Sequence, residues 1–576
     1  MTPREIYAAR IGERRDAAAA LRKRELTLSV ARVAMIVLAI VLAFFRTPAT
    51  LIAIAAFVIL AIVHDRLIRA RKQLESGAAF YERGIARIDG TWAGRGDRGD
   101  EFADDHHPYA NDFDLFGRGS LFELISLALT RAGRLRLATW LKTPSMDLGE
   151  IQARQAAVLE LRENVDLRED LATINSEVVH EVESAKLEEW AAMPAVQFSR
   201  AAHAAAIALP ALSVILIIIV LTNLPLWPLL AIAFAVTGAA ALPLKSRVEH
   251  IISGVERAEP ALALLGGLLL RLEHESFRSE KLVRLHARIR GAHVEIERLR
   301  KRVALLDARR NQFFAPIAIL LMWTANVAFA IERWRSQHGA HIIDWIDVVA
   351  ECEAFASLSS FAFEHPSFAM PSVIERGPLF DARDLGHPLI PEDRRVPNGL
   401  RLDDTLRLLI VSGSNMSGKS TMLRSTGIAA VLAMCGAPVC ARSLAIAPMA
   451  VGASIRIHDS LQENASRFYA EILRIRQVLE MSQRGPLLFL LDEMLAGTNS
   501  HDRRIGAEAI VRALVANGAI GLVSTHDLAL AEIAKDNVHF EDHLENGKVV
   551  FDYRMREGVV TKSNALELMR SVGIDV

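Results

Sequence analysis

Residues 411–421 read VSGSNMSGKST, and few folds accommodate such a segment. Residues 413–420 fit the pattern G-x-x-x-x-G-K-[ST], in which backbone N–H groups surround phosphate oxygens. The apolar run 408–411 precedes the segment and predicts a buried parallel strand, while residues 421–432 predict a helix. A strand, a glycine-rich loop and a helix in this order predict an α/β P-loop NTPase domain.

The loop and the helix that follows it are predicted to bind ATP and Mg²⁺. Lys419 would add a positive charge beside the β- and γ-phosphates, and Ser420 would ligate Mg²⁺. The alternative is a glycine- and serine-rich turn without a ligand. The predicted nucleotide-binding residues are Gly413, Ser414, Asn415, Met416, Ser417, Gly418, Lys419, Ser420 and Thr421.

Composition limits the class of partner. The formal net charge is -1, so no basic field over the whole chain indicates nucleic acid, and any DNA contact must depend on a local patch. The three cysteines have no metal-site spacing, which argues against a disulfide framework. Mean hydropathy is +0.23, which is high for a soluble ATPase, and four apolar stretches account for it.

Two of these stretches predict a transmembrane hairpin over about residues 26–64. Residues 26–45 and 47–63 are each about 17–20 residues long, enough to cross a hydrocarbon core of about 30 Å. Basic residues crowd both outer flanks, whereas the turn carries only Arg46, so both ends are predicted to lie in the cytoplasm. A cleaved signal peptide is the alternative, but the second span and the lack of a clear cleavage site oppose it.

A second apolar pair, residues 201–221 and 224–244, predicts another transmembrane hairpin over about residues 201–244. The alternative is a buried helical hairpin of a soluble core. A fifth stretch, residues 313–331, is predicted to be a buried core helix, because five spans would put the P-loop on the side of the membrane without ATP. This topology predicts a membrane protein whose ATPase domain lies in the cytoplasm.

The remaining sequence before the P-loop predicts a linker and helices. Residues 73–108 predict a linker, and Leu121, Leu124, Ile125 and Ala128 form a helical core-facing stripe in residues 109–171. Residues 246–312 predict helices interrupted near Pro260 and Gly266-Gly267, and residues 345–361 predict another helix.

Two polar segments have competing interpretations. Over residues 281–310, ten Lys and Arg against three Asp and Glu give +7. This segment is a DNA-phosphate surface, a face near anionic lipid, or a solvated helix, which is the commonest outcome. For Asp104, Asp105, His106 and His107 we favour a solvated loop over a metal site, because no second ligand pair has a typical spacing.

Acidic residues follow a second buried strand about 70 residues after the P-loop. Residues 487–491 are continuously apolar and end in Asp492-Glu493, a Walker B pattern. Asp492 would bind Mg²⁺, and Glu493 would orient or deprotonate the attacking water. His526 follows the strand at residues 520–524 and is predicted to sense or contact the γ-phosphate; the alternative is a structural histidine, the commoner role of a lone His. Residues 467–480 predict a helix whose start, capped by Ser466, would meet the nucleotide of a second subunit.

These motifs resemble the ATPase domain of the MutS family. The resemblance rests on GSNMSGKST, DEMLAGTNS, ASRFYAE and STHD, with GHPLI and VPNGLRL before them and SNALELMRSVGI after them. It covers residues 340–576 well and, through TRAGRLRLATWLKTP and IQARQAAVLEL, residues 109–175 loosely. It implies an ABC-type ATPase that dimerises through this domain and binds mismatched or damaged DNA in mismatch repair.

The chain departs from that family in its first part. Only about 108 residues precede the helical core, and they hold the predicted membrane hairpin instead of a mismatch-reading domain. Phe80-Tyr81-Glu82 fits the Phe-x-Glu form of a mismatch wedge, but its place just after a span makes the match a coincidence. A membrane-anchored relative is therefore expected, and its mismatch recognition stays open.

The resulting fold prediction is an α/β P-loop domain fused to an all-α helical core with two transmembrane hairpins. Its predicted parts are residues 1–100 (basic helix, hairpin and linker), 101–370 (helical core) and 371–576 (ATPase domain with a dimerisation tail). Two rival functions remain: a membrane scaffold with an ATPase switch, and a transporter. No transported substrate is expected, because the spans hold almost no charge and no LSGGQ signature is present.

Overall fold

The computed structural model describes residues 1–174, 184–221, 227–308, 314–414, 416–456, 467–495, 497–526, 531, 534, 536–545 and 548–559. In this part of the chain every strand lies after residue 371, and the residues before it form helices and loops. The helices are α1 (Pro3–Phe44), α2 (Ala49–Ile88), α3 (Leu121–Ile125), α4 (Arg131–Lys142), α5 (Leu148–Glu163), α6 (Val165–Thr173), α7 (Ser184–Ala192), α8 (Arg200–Leu221), α9 (Trp227–Ala241), α10 (Lys245–Glu273), α11 (Glu280–Arg288), α12 (Ala292–Asp307), α13 (Ala315–Leu320), α14 (Trp323–Glu364), α15 (Lys419–Cys435), α16 (Arg467–Ser482) and α17 (Ser500–Ala516).

Two sheets form the part of the chain that holds the P-loop. The strands are β1 (Ser372–Val373), β2 (Phe380–Leu385), β3 (Asn398–Leu402), β4 (Leu408–Gly413), β5 (Ser443–Ile446), β6 (Ala450–Ser454), β7 (Leu487–Asp492), β8 (Ile520–Thr525), β9 (Asn537–Glu545) and β10 (Lys548–Glu557). One sheet has the order β10-β9-β4-β8-β7-β6, with β10 antiparallel to β9 and the other pairs parallel. The other has the order β1-β5-β2-β3. The predicted α/β architecture of this region is therefore present.

Helix α14 is the long central element of the helical region. Its bounds differ from those predicted for the helices at residues 345–361 and 313–331. The predicted helix 345–361 is only the second half of α14. The apolar stretch 313–331 is not one helix either, because the chain turns at Leu321 and Met322, where Met322 has φ 45°. Asn326 stabilises this break, since its side-chain amide donates to the carbonyls of Leu321 (3.2 Å) and Ala206 (2.8 Å). Much of the stretch is nevertheless buried, including Ala328 and Ile331.

Helix α10 runs unbroken through Pro260 and Gly266-Gly267, where an interruption was predicted. The proline removes one backbone hydrogen bond, but Val255, Leu262 and Leu265 are buried on either side of it and hold the helix in place. Gly266 allows a close approach, because a Cβ there would lie 3.1 Å from a methyl carbon of Ile296 on α12. Packing between helices therefore overrides the local signals.

The predicted linker 73–108 is also helical over its first half, since α2 continues to Ile88. Its last turns carry Phe80 and Tyr81, which are fully buried against Tyr7 of α1. The Arg87 guanidinium donates to both carboxylate oxygens of Glu364, at 2.6 and 2.5 Å, and both side chains are buried. The base of the helical pair α1–α2 is thus fixed to the end of α14.

Four helical segments are long and apolar enough to cross a membrane by length and composition: Pro3–Phe44, Ala49–Ile88, Arg200–Val220 and Ala231–Glu273. Only 6%, 11%, 17% and 17% of their apolar windows are buried within the described chain. The alternative for residues 201–244 is a buried hairpin of a soluble core. Such a hairpin would have most of its apolar windows buried.

Candidate nucleotide site

The P-loop connects β4, which lies between β9 and β8, to the start of α15. Two glycines permit its path. Gly413 has φ 142°, and a Cβ there would lie 2.8 Å from the Phe540 carbonyl oxygen; Gly418 has φ 114°. A larger residue would strain the backbone at either position. Lys419, Ser420 and Thr421, at the start of α15, line an open cleft.

Lys419 lies under the loop and is 4% exposed. Its ammonium group donates to the carbonyls of Gly413 (2.7 Å) and Ser414 (3.0 Å). The same nitrogen lies 3.5 Å from Oε1 of Glu493. The structure thus brings the predicted phosphate-binding lysine and the predicted water-activating carboxylate together, although about 70 residues separate them in the sequence.

The acidic pair lies at the carboxyl end of β7. The Ser524 hydroxyl, on the neighbouring strand β8, donates to Oδ1 of Asp492. The backbone N–H of Glu493 lies 3.2 Å from both the carbonyl and the hydroxyl oxygen of Ser524. Glu493 has φ 44°, an uncommon conformation for this residue type that is typical of functional sites. The sequence analysis assigned no role to Ser524, although it is the first residue of the STHD motif and ends the predicted strand 520–524.

His526 also lies close to Glu493. Its Nδ1 is 3.5 Å from Oε1 of Glu493, and its side chain is 51% exposed. Oε1 of Glu493 therefore has both an ammonium group and an imidazole at 3.5 Å. The exposed imidazole remains accessible to a ligand.

The remaining loop residues offer polar groups to the cleft. The Ser414 hydroxyl donates to Oδ1 of Asp542 (3.2 Å), and Ser420 and Thr421 line the cleft. The Ser417 hydroxyl is buried and has no hydrogen-bond partner within the described chain. Met416 is 84% exposed. Asn415 and Ser466, both predicted to bind nucleotide, lie outside the described residues.

The cleft has a volume of about 1050 Å³ and two walls that the motifs do not reveal. One wall is the loop 386–396, which contributes His387 and Ile390, and the other includes Phe551 and Tyr553 of β10. Asn398, at the start of β3 just after this loop, connects the two walls by hydrogen bonds. Its side chain donates to the Tyr553 carbonyl (3.0 Å) and accepts from the Met555 N–H (2.7 Å). Sequence reasoning noted GHPLI and VPNGLRL only as an approach to the P-loop.

The donor set suits a magnesium nucleoside triphosphate. A buried lysine and the other residues at the start of α15 line the same space, and this combination fits phosphate oxygens. Ser420 and Asp492, the predicted magnesium ligands, carry oxygen atoms of the kind that Mg²⁺ prefers. Burial lowers the pKa of His387 in the cleft wall to about 3, so this imidazole is neutral at physiological pH.

The helix after the undescribed segment 457–466 is fixed beside the acidic pair. Glu471 of α16 is buried, and its carboxylate accepts a hydrogen bond from the Leu495 N–H (2.5 Å).

Before the segment 457–466, the backbone N–H groups of Ile455 and Arg456 both donate to Asp112 at 2.7 Å. Asp112 is buried, which raises the pKa of its carboxyl group. Neither the hydrophobic periodicity nor a motif in the sequence indicates that Asp112 makes these contacts.

The two polar segments with competing interpretations both contain ion pairs. Of the eight basic side chains that the structure describes in residues 281–310, five form ion pairs: Lys281, Arg284, Arg288, Arg298 and Arg300. Asp104 pairs with Lys142, and burial lowers the pKa of His107 to about 4. No metal-ligand cluster occurs in the part of the chain that the structure describes. In the Phe80-Tyr81-Glu82 match, Phe80 is fully buried and Glu82 pairs with Arg15.

Two family models match the chain: MutS domain V over residues 409–575 and MutS domain III over residues 108–202. Endonuclease MutS2 of Thermus thermophilus is 34% identical over 212 residues, which are 35% of this chain and 27% of that protein. DNA mismatch repair protein MutS of Nitratidesulfovibrio vulgaris is 33% identical over 245 residues, which are 40% of this chain and 26% of that protein. The match therefore spans about a quarter of the length of these relatives.

Proposed function

This chain belongs to the MutS family, and from that premise we propose that it is a membrane-anchored ATPase switch that acts on DNA in mismatch repair. The observation that carries the proposal is the approach of Lys419 Nζ to Glu493 Oε1, at 3.5 Å, beneath the glycine-rich loop. A triphosphate bound by Lys419 and the helix N–H groups would have its terminal phosphorus beside Glu493.

Each site residue predicted from the sequence has a proposed role. Lys419 and residues 413–421 hold the phosphates, and Ser420 and Asp492 hold Mg²⁺, which neutralises charge on the transferred phosphoryl group. Glu493 orients the attacking water and accepts its proton. His526 contacts the terminal phosphate. Ser466 of a second copy closes the site, so the active form is a homodimer through residues 371–576.

Substitution of Lys419 by alanine tests nucleotide binding. The variant loses the only ammonium group within the described cleft lining, so fluorescence titration with mant-ATP and Mg²⁺ should show no saturable binding. Lys301→Ala, on the exposed face of α12, is the matched control and should bind like the wild type. Saturable binding by a folded Lys419→Ala variant at wild-type affinity would refute the assigned site.

Membrane anchoring is supported by the four apolar helical segments and their exposed side chains. The charge pattern adds to this, since seven basic residues (Arg22, Lys23, Arg24, Arg66, Arg69, Arg71 and Lys72) flank the first hairpin, against Arg46 at its tip. We propose that residues 1–100 and 201–244 anchor the protein and that residues 371–576 lie in the cytoplasm. Resistance of the full chain to carbonate extraction from membranes checks this anchoring.

A membrane-tethered switch without mismatch recognition is the second candidate function. The ion pairs formed by residues 281–310 favour it, because they neutralise five of the eight described basic side chains proposed to meet DNA. Titration of homoduplex and mismatched DNA with the full chain in detergent separates the two. A DNA-acting protein should bind at about 50 mM salt and lose affinity steeply by about 200 mM. Absence of binding, with intact ATPase activity, would establish the second candidate.

A further inference from the structure

The loop 386–396, between β2 and β3, has one face in the nucleotide cleft and the other in a second cavity of about 470 Å³. Leu389, Ile390, Pro391 and Arg395 line both spaces. The loop is therefore a shared wall. A displacement of this wall on one side changes the shape of the other side, because close-packed interiors transmit strain.

The opposite side of the second cavity is the base of the N-terminal hairpin, formed by the start of α1 and the end of α2. Thr2, Arg4, Asp89 and Gly90 line it. Arg4 Nε donates to Oδ1 of Asp89 at 3.0 Å and so ties the two ends of the hairpin together. A Cβ on Gly90 would lie 3.4 Å from Cγ of Pro391, so the hairpin base is in contact with the loop.

Arg395 holds the loop in this position. Its guanidinium donates to the carbonyls of His387 (3.1 Å) and Ile390 (3.1 and 2.7 Å), and it lies 5.2 Å from the centre of the Phe368 ring. Phe368 stacks on His365, the residue that follows α14. Arg395 therefore connects the cleft wall with the junction to which Arg87 also fixes the hairpin.

We propose that the base of the N-terminal hairpin regulates the nucleotide cleft through the loop 386–396, with Arg395 as a positioning residue. The proposal rests on the proposed function, because it takes Mg-ATP as the ligand of the cleft. By linkage, a hairpin base that changes nucleotide affinity is itself changed by nucleotide to the same extent. ATP occupancy is thereby communicated to the helices that carry the first apolar segments.

The double variant Arg4→Ala/Asp89→Ala tests the coupling without altering the cleft. The pair is exposed (58% and 38%) and contributes little to stability, so the variant should fold. We expect the Kd for mant-ATP with Mg²⁺ to rise about fivefold or more in the full chain in detergent. Arg15→Ala/Glu82→Ala, an exposed pair higher on the same hairpin, is the matched control and should leave the Kd unchanged.

The route through Arg395 is tested by a double-mutant cycle. In an Arg395→Lys background, which keeps the charge but loses the forked donor geometry, removal of Arg4 and Asp89 should change the Kd no further. Additive effects in this cycle would overturn the role of Arg395, since a residue with a purely structural role gives independent effects.

Hydrogen exchange measures the reciprocal effect. Mg-ATP should alter exchange of the backbone amides at residues 84–92 in the wild type and leave them unaltered in Lys419→Ala. If the wild type binds mant-ATP but residues 84–92 do not respond, and the Arg4/Asp89 variant binds like the wild type, the coupling is overturned while the proposed function stands. If the wild type binds no mant-ATP, both fall.

Discussion

At the scale of single residues, Glu493 is where the elements of the site meet. Lys419 and His526 each lie 3.5 Å from its Oε1, and Ser524 fixes its backbone. These residues follow the ends of adjacent strands of one largely parallel sheet, so proximity in space follows from their place in the sequence pattern.

Ser524 is predicted to set the Mg²⁺ requirement through Asp492, because its hydroxyl donates to that carboxylate. In Ser524→Ala the carboxylate loses this partner, and the Mg²⁺ concentration for half-maximal ATPase activity should rise about 10–100-fold. Ser482→Ala, which removes a buried hydroxyl bonded to the Leu479 carbonyl, serves as the control. Identical Mg²⁺ dependence of the two variants would refute the role of Ser524 in supporting Asp492 as a metal ligand.

The cleft walls, in contrast, could not be predicted from the sequence. Ile390, Phe551 and Tyr553 come from distant segments, and no local pattern indicates that they face the same space. Asp112 was missed for the same reason, since its partners are the backbone amides of Ile455 and Arg456, more than 340 positions away. Motifs reveal residues that act through their own chemistry, whereas long-range contacts depend on the fold.

At the scale of elements, long-range packing decided where helices begin and end. Pro260 and Gly266-Gly267 predict a break that α10 does not have, and the actual break, at Leu321 and Met322, was predicted to be helix. The strands and helices next to the P-loop were predicted well, because apolar runs and the motif gave independent signals. In the helical region only the apolar periodicity was available.

The junction of α4 and α14 is predicted to make stability depend on pH. Glu353 of α14 accepts hydrogen bonds from the N–H groups of Leu129 and Thr130 at the start of α4, and burial raises the pKa of its carboxyl group to about 7. The folded state therefore retains a proton that the unfolded state releases near pH 4.5. The bound proton stabilises the folded state. Its contribution to the free energy of unfolding is fully present below about pH 4.5 and is lost as the pH rises through 7.

Glu353→Gln removes this titration and keeps the shape of the side chain. The melting temperature of the wild type minus that of the variant should rise as the pH falls from about 8 to about 5, by the equivalent of up to about 3 kcal/mol in unfolding free energy. Differential scanning fluorimetry of both proteins measures this difference. If this difference in melting temperature stays the same at every pH, the raised pKa of Glu353 is contradicted.

At the scale of the whole molecule, a MutS-type ATPase region packs on a helical region that carries two apolar helical pairs. One hydrophobic core extends across both, since Phe113 lies directly against Gly427 of α15, where a Cβ would be 2.1 Å from its ring. The two regions therefore pack through a shared core, which is the contact by which the proposed nucleotide switch would act on the helices. The chain covers about a quarter of its relatives' length, so its action on DNA is a proposal that the salt titration tests.

The central claim, that this cleft hydrolyses ATP with Glu493 acting on the attacking water, is tested most directly by Glu493→Gln. With Glu480→Gln as a control on the exposed face of α16, mant-ATP affinity and steady-state phosphate release are measured on the same preparations. We predict that Glu493→Gln binds mant-ATP like the wild type, while its kcat falls about 100-fold or more. A kcat equal to that of the wild type and of Glu480→Gln would contradict the account.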